Sequence, residues 1–291
     1  MTRLTPFYEN VRSHYDLDDE FFALFLDSTR TYSCAYFERE DMSLKDAQLA
    51  KIDLALGKCN LTPGMTLLDI GCGWGSTIIR AADKYDVNVI GLTLSRNQYR
   101  YIRQIVTSTP RRRQIEVRLQ GWEDFDGYAD RIVSIGAFEH FRLERYDDFF
   151  RKCAAILPPD GRFLLHTIVG FGQKLREMGI PITREDIQFH RFILREIFPG
   201  GQIPLPDWVV DHAVNAGFTV ERIQALQPHY ARTLDLWVES LRAHRTEAIK
   251  TTSEQVYDRY IKYLTGSAAR FRSGHIDVMQ FTLLNEQHAP K

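Results

Sequence analysis

The sequence predicts an α/β fold of the Rossmann-like kind, a largely parallel sheet with helices on both faces. Two observations carry that expectation. The apolar run Leu67, Leu68, Asp69, Ile70 empties into the alternate glycines Gly71, Gly73 and Gly75, and helix and strand patterns alternate from there onward. Glycine lacks Cβ, tolerates positive φ and lets backbone approach a ligand, so a strand can turn sharply into a helix beneath a nucleotide-like group. A chain of 291 residues can build one large core, or a core with a smaller cap.

Strands are expected at 66–70, 87–93, 115–120, 131–135 and 161–167, then at 218–225 and 276–284, the last closing the sheet. Their β-branched and apolar content, bounded by Gly, Pro or Asp, suits strands buried on both faces. Segments 74–84 and 96–105 carry helical spacing. Two stretches fall outside the alternation. Residues 5–61, rich in aromatics (Phe7, Tyr8, Tyr15, Phe21, Phe22, Phe25, Tyr32, Tyr36, Phe37), are expected to cap the cofactor cleft. Residues 170–217, with Phe189, Phe192, Ile193, Leu194, Ile197 and Phe198 before the turn Pro199, Gly200, Gly201, read as a helical insertion. Its apolar excess either packs on the sheet or lines a hydrophobic channel. The expected organisation is one domain: a helical cap (1–61), a cofactor-binding core (62–169), the insertion (170–217), and the remaining strands and helices (218–291).

Lys plus Arg total 37 against 38 Asp plus Glu, a net charge of −1, which argues against a general nucleic-acid binder. The triplet Arg111, Arg112, Arg113 reads as a solvated loop, with a docking patch for an acidic carrier protein as the alternative. Cys34, Cys59, Cys72 and Cys153 show neither zinc nor disulfide spacing, so no metal is expected and a reducing compartment fits. No secretion signal or membrane span is evident, and a cytoplasmic protein is expected.

The loop itself separates two cofactor classes. A dinucleotide site wants G-x-G-x-x-G and an acid about 20 residues on. Here the third glycine comes one place early, at Gly75, and Gly91, Leu92, Thr93, Leu94, Ser95 supply no carboxylate. Asp69 is well placed to hold a cationic amino group, directly or through water, which suits the methionine end of S-adenosylmethionine better than a pyrophosphate. A nicotinamide-dependent oxidoreductase is thereby disfavoured.

Several motifs are more specific. Tyr15, Asp16; Tyr32, Ser33, Cys34, Ala35, Tyr36, Phe37; the Asp69 to Gly75 loop; Gly91 to Ser95; Gln120, Gly121, Trp122; and Gly136, Ala137, Phe138, Glu139, His140, Phe141 follow one another along the chain. Together they resemble the cyclopropane fatty acid synthases, in particular the mycolic acid cyclopropane synthase branch. Phe198 to Gly201 and Gln227, Pro228, His229, Tyr230 extend the likeness, which runs from about Phe7 to Leu283. It implies a class I methyltransferase sheet, mostly parallel with an antiparallel last strand, and S-adenosylmethionine-dependent addition of a methylene group across a cis double bond of a long acyl chain.

Carried over by motif, Tyr32, Ser33, Gly71, Gly73, Thr93, Leu94, Gln98, Trp122, Glu123 and Ile135 would contact the cofactor. The resemblance also implies a bicarbonate ion held by Cys34, Glu139, His166, Ile168 and Tyr230, with Cys34 and Ile168 acting through backbone N–H groups. Tyr32 or Phe138 would steady a carbocation with an aromatic face. On spacing alone, Glu139 also fits a helix-start acid, His166 a bonded core histidine and Tyr230 a packed aromatic. Relatives that hydrate the cation carry an acid where this chain has Gly136 and lack the histidine matched by His166; others lose the one matched by His140. Cyclopropanation is therefore favoured over a methyl-branched alkene, a hydroxylated product or a non-catalytic lipid binder. The acyl chain is expected on an acyl carrier protein, with phospholipid acyl chains as the alternative. Arg142, Leu143 and Glu144, and the stretch 171–188, depart from the branch and leave chain length open.

Overall fold

The computed structural model of the chain describes residue 4 and residues 19–111 and 113–286. Phe7, Tyr8, Tyr15, Asp16 and Arg112 lie outside the described residues. Seven strands form one sheet: β1 (Thr66–Ile70), β2 (Asn88–Thr93), β3 (Ile115–Leu119), β4 (Arg131–Ile135), β5 (Arg162–Gly170), β6 (Phe218–Ala225) and β7 (Ile276–Asn285). Their spatial order is β3-β2-β1-β4-β5-β7-β6. Neighbours from β3 to β5 run parallel, while β7 is antiparallel to both β5 and β6. Every expected strand is present, and the reversed last strand is as expected; the largest difference is at β5, which runs on to Gly170. Because β1 pairs with β2 on one side and β4 on the other, a crevice opens beyond their carboxyl ends.

The cap contains α1 (Asp19–Ala23) and α2 (Leu44–Lys58), joined by irregular chain. Side chains pin that connection: the Asp27 carboxylate accepts from the N–H groups of Thr29 (2.8 Å) and Thr31 (3.1 Å), and Gln48 Nε2 donates to the Ser33 carbonyl (2.7 Å). Two helices follow in the core, α3 (Ser76–Tyr85) and α4 (Arg96–Ser108), then α5 (Tyr146–Ile156). The insertion holds α6 (Lys174–Glu177), α7 (Arg184–Phe192), a π turn at Ile193–Ile197 and α8 (Pro206–Asn215). Helices α9 (Gln227–Ala243), α10 (Arg245–Thr251) and α11 (Glu254–Arg272) precede β7. Ser43, Ser95 and Ser253 cap α2, α4 and α11 by accepting a backbone N–H, and Thr183 and Asp186 form a reciprocal capping box on α7.

Strand side chains alternate between two cores. Leu67, Val89, Val133 and Leu164 meet Ile52, Ala55, Ile78 and Ile102 from α2, α3 and α4. Leu68, Leu92, Ile132, Phe163 and Leu165 meet Phe149, Phe150, Val209 and Ala213 from α5 and α8. A third cluster is aromatic: Phe21 and Phe22 of α1 and Phe25 just beyond it gather with Trp237 of α9 and Tyr260 of α11. The insertion sits on that cluster through Phe189, whose ring lies directly over Gly266 of α11, where a Cβ would come within 2.1 Å of it. A second tie is the Gln202 N–H, which donates to the Glu139 carbonyl at 2.8 Å. Arg111 and Arg113 are paired with Asp83 (3.0 Å) and Asp86 (2.7 Å), so two of the three clustered guanidinium groups hold their own loop to the end of α3.

The turn after β1 is the tightest point of the crevice. Gly71 has φ +89°, and a Cβ there would lie 2.4 Å from Ala137 Cβ in the loop leaving β4. Gly71→Ala therefore meets both a disfavoured backbone region and a steric overlap, and is expected to destabilise the protein by about 1–3 kcal/mol. Thermal unfolding measures this; an unchanged midpoint would show that the two loops separate freely.

Candidate active site

Two cavities meet beyond the carboxyl ends of the central strands. The first is a cleft with about 1010 Å³ of space, open to solvent, over the glycine turn. All residues expected to contact the nucleotide line it: Tyr32, Ser33, Asp69, Gly71, Gly73, Thr93, Leu94, Gln98, Trp122, Glu123 and Ile135. The Thr93 hydroxyl pairs with Gln98 Oε1 at 2.8 Å, which ties the end of β2 to the first turn of α4. Trp122 presents its ring between the cleft and the core, edge-on to Phe149 at 5.3 Å. Glu123 is a buried acid rather than a solvated one: Arg145 reaches its Oε1 at 3.1 Å, and burial raises its carboxyl above the ordinary range.

At the floor of this cleft stand two buried charges. Asp69, next to last in β1, is 2% exposed, and burial pushes its carboxyl up to about 7 against the opposing pull of the Lys51 cation. Lys51 projects from α2, is fully buried, and donates from Nζ to Ser33 Oγ at 2.9 Å. Burial brings its ammonium down to about 8, opposed by Cys34, Asp27 and Asp69. Lys51 went unnoticed in the sequence, although a signal was there: it lies between Ala47 and Ala55 on the buried i, i+4, i+8 stripe of α2. Arg30 was also missed. Its guanidinium lies over the Tyr101 ring (4.4 Å) and near that of Trp74 (5.5 Å) on the rim of the cleft.

The second cavity is a channel with about 1920 Å³ of space and a mainly apolar wall. Cys34, Glu139, His166, Ile168 and Tyr230 all line it. The insertion supplies Phe189, Ile193, Leu194 and Phe198, so part of its apolar excess lines the channel as expected, while Phe192 and Ile197 pack into the aromatic cluster of the helices. Tyr32, Ser33, Gly136 and His140 line both cavities and mark the junction. Gly136 has φ +66°, and the nearest atom to a Cβ placed there is Ser33 Cβ at 3.8 Å, so a side chain would project into the junction.

Glu139 sits on a short turn, Phe138–His140, just after β4. Its Oε1 accepts the Ile168 N–H at 2.7 Å, while Oε2 is buried with no hydrogen-bond partner among the described residues. Burial raises its carboxyl, and the Ile168 N–H opposes the rise. The amide expected to hold an anion is thus engaged by Glu139 itself. His166 is 1% exposed in β5; burial, then the Lys51 and Lys58 cations, hold its imidazole far below its usual range and hence neutral. His140 is likewise brought down to about 4 by burial. Tyr230 stands in the first turn of α9, packed on Phe271 at 4.6 Å. The Cys34 thiol donates to the Ala35 carbonyl at 3.1 Å, and burial pushes it up, so it is no nucleophile.

One expectation is corrected. Phe138 lines neither cavity: it is fully buried and stacked on Tyr146 at 4.2 Å, because the turn after β4 rotates it into the core. Of the two aromatic faces considered, Tyr32 is the one at the junction. No helix among the described residues is long and apolar enough to cross a membrane.

Comparison with known proteins agrees with this geometry. Residues 2–281 match the model of the mycolic acid cyclopropane synthetase family. Cyclopropane mycolic acid synthase 1 of Mycobacterium tuberculosis is 59% identical over 280 residues, covering 96% of this chain and 98% of the relative. Methoxy mycolic acid synthase MmaA3 of the same organism is 56% identical over 276 residues, 94% of each. The crystal structure of mycolic acid cyclopropane synthase CmaA1 complexed with SAH and CTAB superposes with a TM-score of 0.95 at 57% identity, covering 97% of this chain and 99% of that one. The chain therefore belongs to the mycolic acid cyclopropane synthetase family and is an S-adenosylmethionine-dependent methyltransferase.

Proposed function

We propose that this enzyme adds a methylene group across a cis double bond of a long acyl chain, a mycolic acid precursor or related fatty acyl group. The carrying observation is the buried Glu139 carboxyl, one oxygen unpartnered, on the wall of an apolar channel and next in sequence to His140, which lines both the channel and the cofactor cleft. A buried polar oxygen without a partner calls for an explanation, and an ion or reacting group in the channel supplies one. The crystal structure of a relative with SAH and the detergent CTAB is consistent with a nucleoside and a long alkyl chain as the two occupants.

Cofactor binding falls to residues of this chain. Gly71 and Gly73 allow backbone approach, and Asp69 and Lys51 offer one charge of each sign to the zwitterionic methionine end. The donor set of the chamber also fits an anion such as bicarbonate: a carboxyl raised by burial, a neutral imidazole and a phenol on a mainly apolar wall. When bound, S-adenosylmethionine supplies an activated methyl group and bicarbonate a base. The alkene π pair would bond to the methyl carbon as the carbon–sulfur bond broke, which would leave a carbocation on the chain. Loss of a proton from the new methyl lets its C–H pair close the ring. Glu139, His166 and Tyr230 hold the proton acceptor, Tyr32 faces the cation, and the channel keeps alkene and methyl aligned. Gly136 keeps the junction free of an acid that would guide water to the cation. Delivery by an acyl carrier protein, in the cytoplasm, belongs to the same proposal.

The direct test is incubation with labelled S-adenosylmethionine and cis-unsaturated acyl carriers. A product heavier by one CH2 is expected, with ring protons in its NMR spectrum; a branched-alkene spectrum, or added water, would assign the other outcome of the same cation. Glu139→Gln is expected to lower kcat by about a hundredfold or more while S-adenosylhomocysteine affinity holds, a split that a mere lipid binder could not show. Affinity for that nucleoside should also depend on pH. Asp69 must be ionised to receive an ammonium and Lys51 protonated to receive a carboxylate, so binding is expected to peak between about 7 and about 8. It weakens below as Asp69 gains a proton and above as Lys51 loses one, and Lys51→Met should erase the upper limb. Calorimetric titration giving a flat profile would remove both residues from the methionine site.

A further inference from the structure

Behind the reaction chamber the sheet carries a row of polar side chains that the chemistry above leaves unused. His166 of β5 stands opposite Gln280 of β7, and Gln280 stands opposite Gln224 of β6. His166 and Gln280 are buried at 1% and 0% exposure. Lys58, in the last turn of α2, reaches down onto this row. Its Nζ donates to Gln280 Oε1 at 2.5 Å and to Gln224 Oε1 at 2.7 Å. The other end of the Gln280 amide, Nε2, lies 3.3 Å from His166 Nδ1.

With Lys58 protonated, donor and acceptor accounting leaves one arrangement; burial brings that ammonium down to about 8, so the row holds below that pH. An ammonium has donors only, so the Gln280 atom that faces Lys58 must be the carbonyl oxygen, and the NH2 group must turn toward the histidine. An amide NH2 also only donates, so Nδ1 has to present its lone pair. In a neutral imidazole the proton then resides on Nε2. Flipping the amide would set its NH2 against the ammonium and lose both bonds in a buried place, where an unmade bond is costly. The register makes the row possible, because directly opposed residues on adjacent strands share a face.

We propose that Lys58 and Gln280 are positioning residues that fix His166 as its Nε2–H tautomer, so that the ring offers a donor, not a lone pair, to the chamber shared with Glu139 and Tyr230. The meaning of that donor rests on the function proposed above; the tautomer does not. A donor at this point holds an anionic proton acceptor in place. A lone pair would repel it and compete for the proton being lost.

The test is ¹⁵N NMR of protein labelled at histidine, with the His166 signals assigned by their loss in His166→Gln. In the wild type, Nδ1 is expected at the position of an unprotonated ring nitrogen and Nε2 with its proton attached. Gln280→Glu replaces the facing NH2 by a carboxylate oxygen and should move the proton to Nδ1. It should lower kcat by about 10- to 100-fold, the range seen when the second-nitrogen partner of a metal-bound histidine is changed, with S-adenosylhomocysteine affinity unchanged. Lys58→Met frees the amide and should give a mixture of tautomers, which Lys58→Arg restores to one. A proton on Nδ1 in the wild type overturns the proposal, as does a Gln280→Glu protein with wild-type spectrum and turnover. Should the wild type transfer no methyl group to any acyl chain, the functional reading fails while the spectra still decide the tautomer.

Discussion

The loops that leave β1 and β4 nearly touch. At Gly71 the chain passes so close to Ala137 that no side-chain carbon fits between them, and the backbone takes a conformation that favours glycine. That contact decides where everything else stands. It opens the floor of the cleft immediately after Asp69, and it fixes the start of the turn that carries Glu139. A shift of either loop would move the nucleotide relative to the carboxyl, and positional errors of an ångström are enough to degrade a reaction that relies on alignment. The central strands, buried on both faces, give the loops a rigid base.

Burial does the electrostatic work. Asp69, Lys51, Glu139 and His166 are all removed from water, and in each case loss of hydration is the largest influence on the proton. The outcomes differ because the neighbours differ. Asp69 and Lys51 moderate each other and remain near the edge of ionisation. Glu139 is offset by a backbone N–H, whereas His166 has two cations nearby and stays neutral. A chamber assembled in this way exposes no thiolate, since the Cys34 thiol on its wall is also held in its protonated form.

Much of this was legible in the sequence, and the physical reason is locality. The strands showed because runs such as Leu67 to Ile70 are apolar on both faces and end in glycine. The residues that line the cleft showed because the loop motifs that hold them are contiguous. The residues that escaped notice depend on contacts between distant segments. Lys51 looked like any helix lysine, whose long stem normally carries its charge to water, until the cap closed over it. Gln280 and Lys58 acquire their roles only through the pairing of β5 with β7 and the descent of α2 onto the sheet, which no spacing announces. Phe138 shows the converse error: its neighbour Glu139 points into the channel, and one step along the turn reverses the direction of the side chain.

The seat of Phe189 on Gly266 has a consequence for what the enzyme can accept. Phe189 is part of the channel wall, and its seat is set by a missing side chain at Gly266, a position that does not itself line the channel. Any larger residue at that position has to displace Phe189 and so reshapes the bore. What the channel accepts can therefore change through a position that itself lines neither cavity, so substrate range and catalytic power are separable traits in this scaffold.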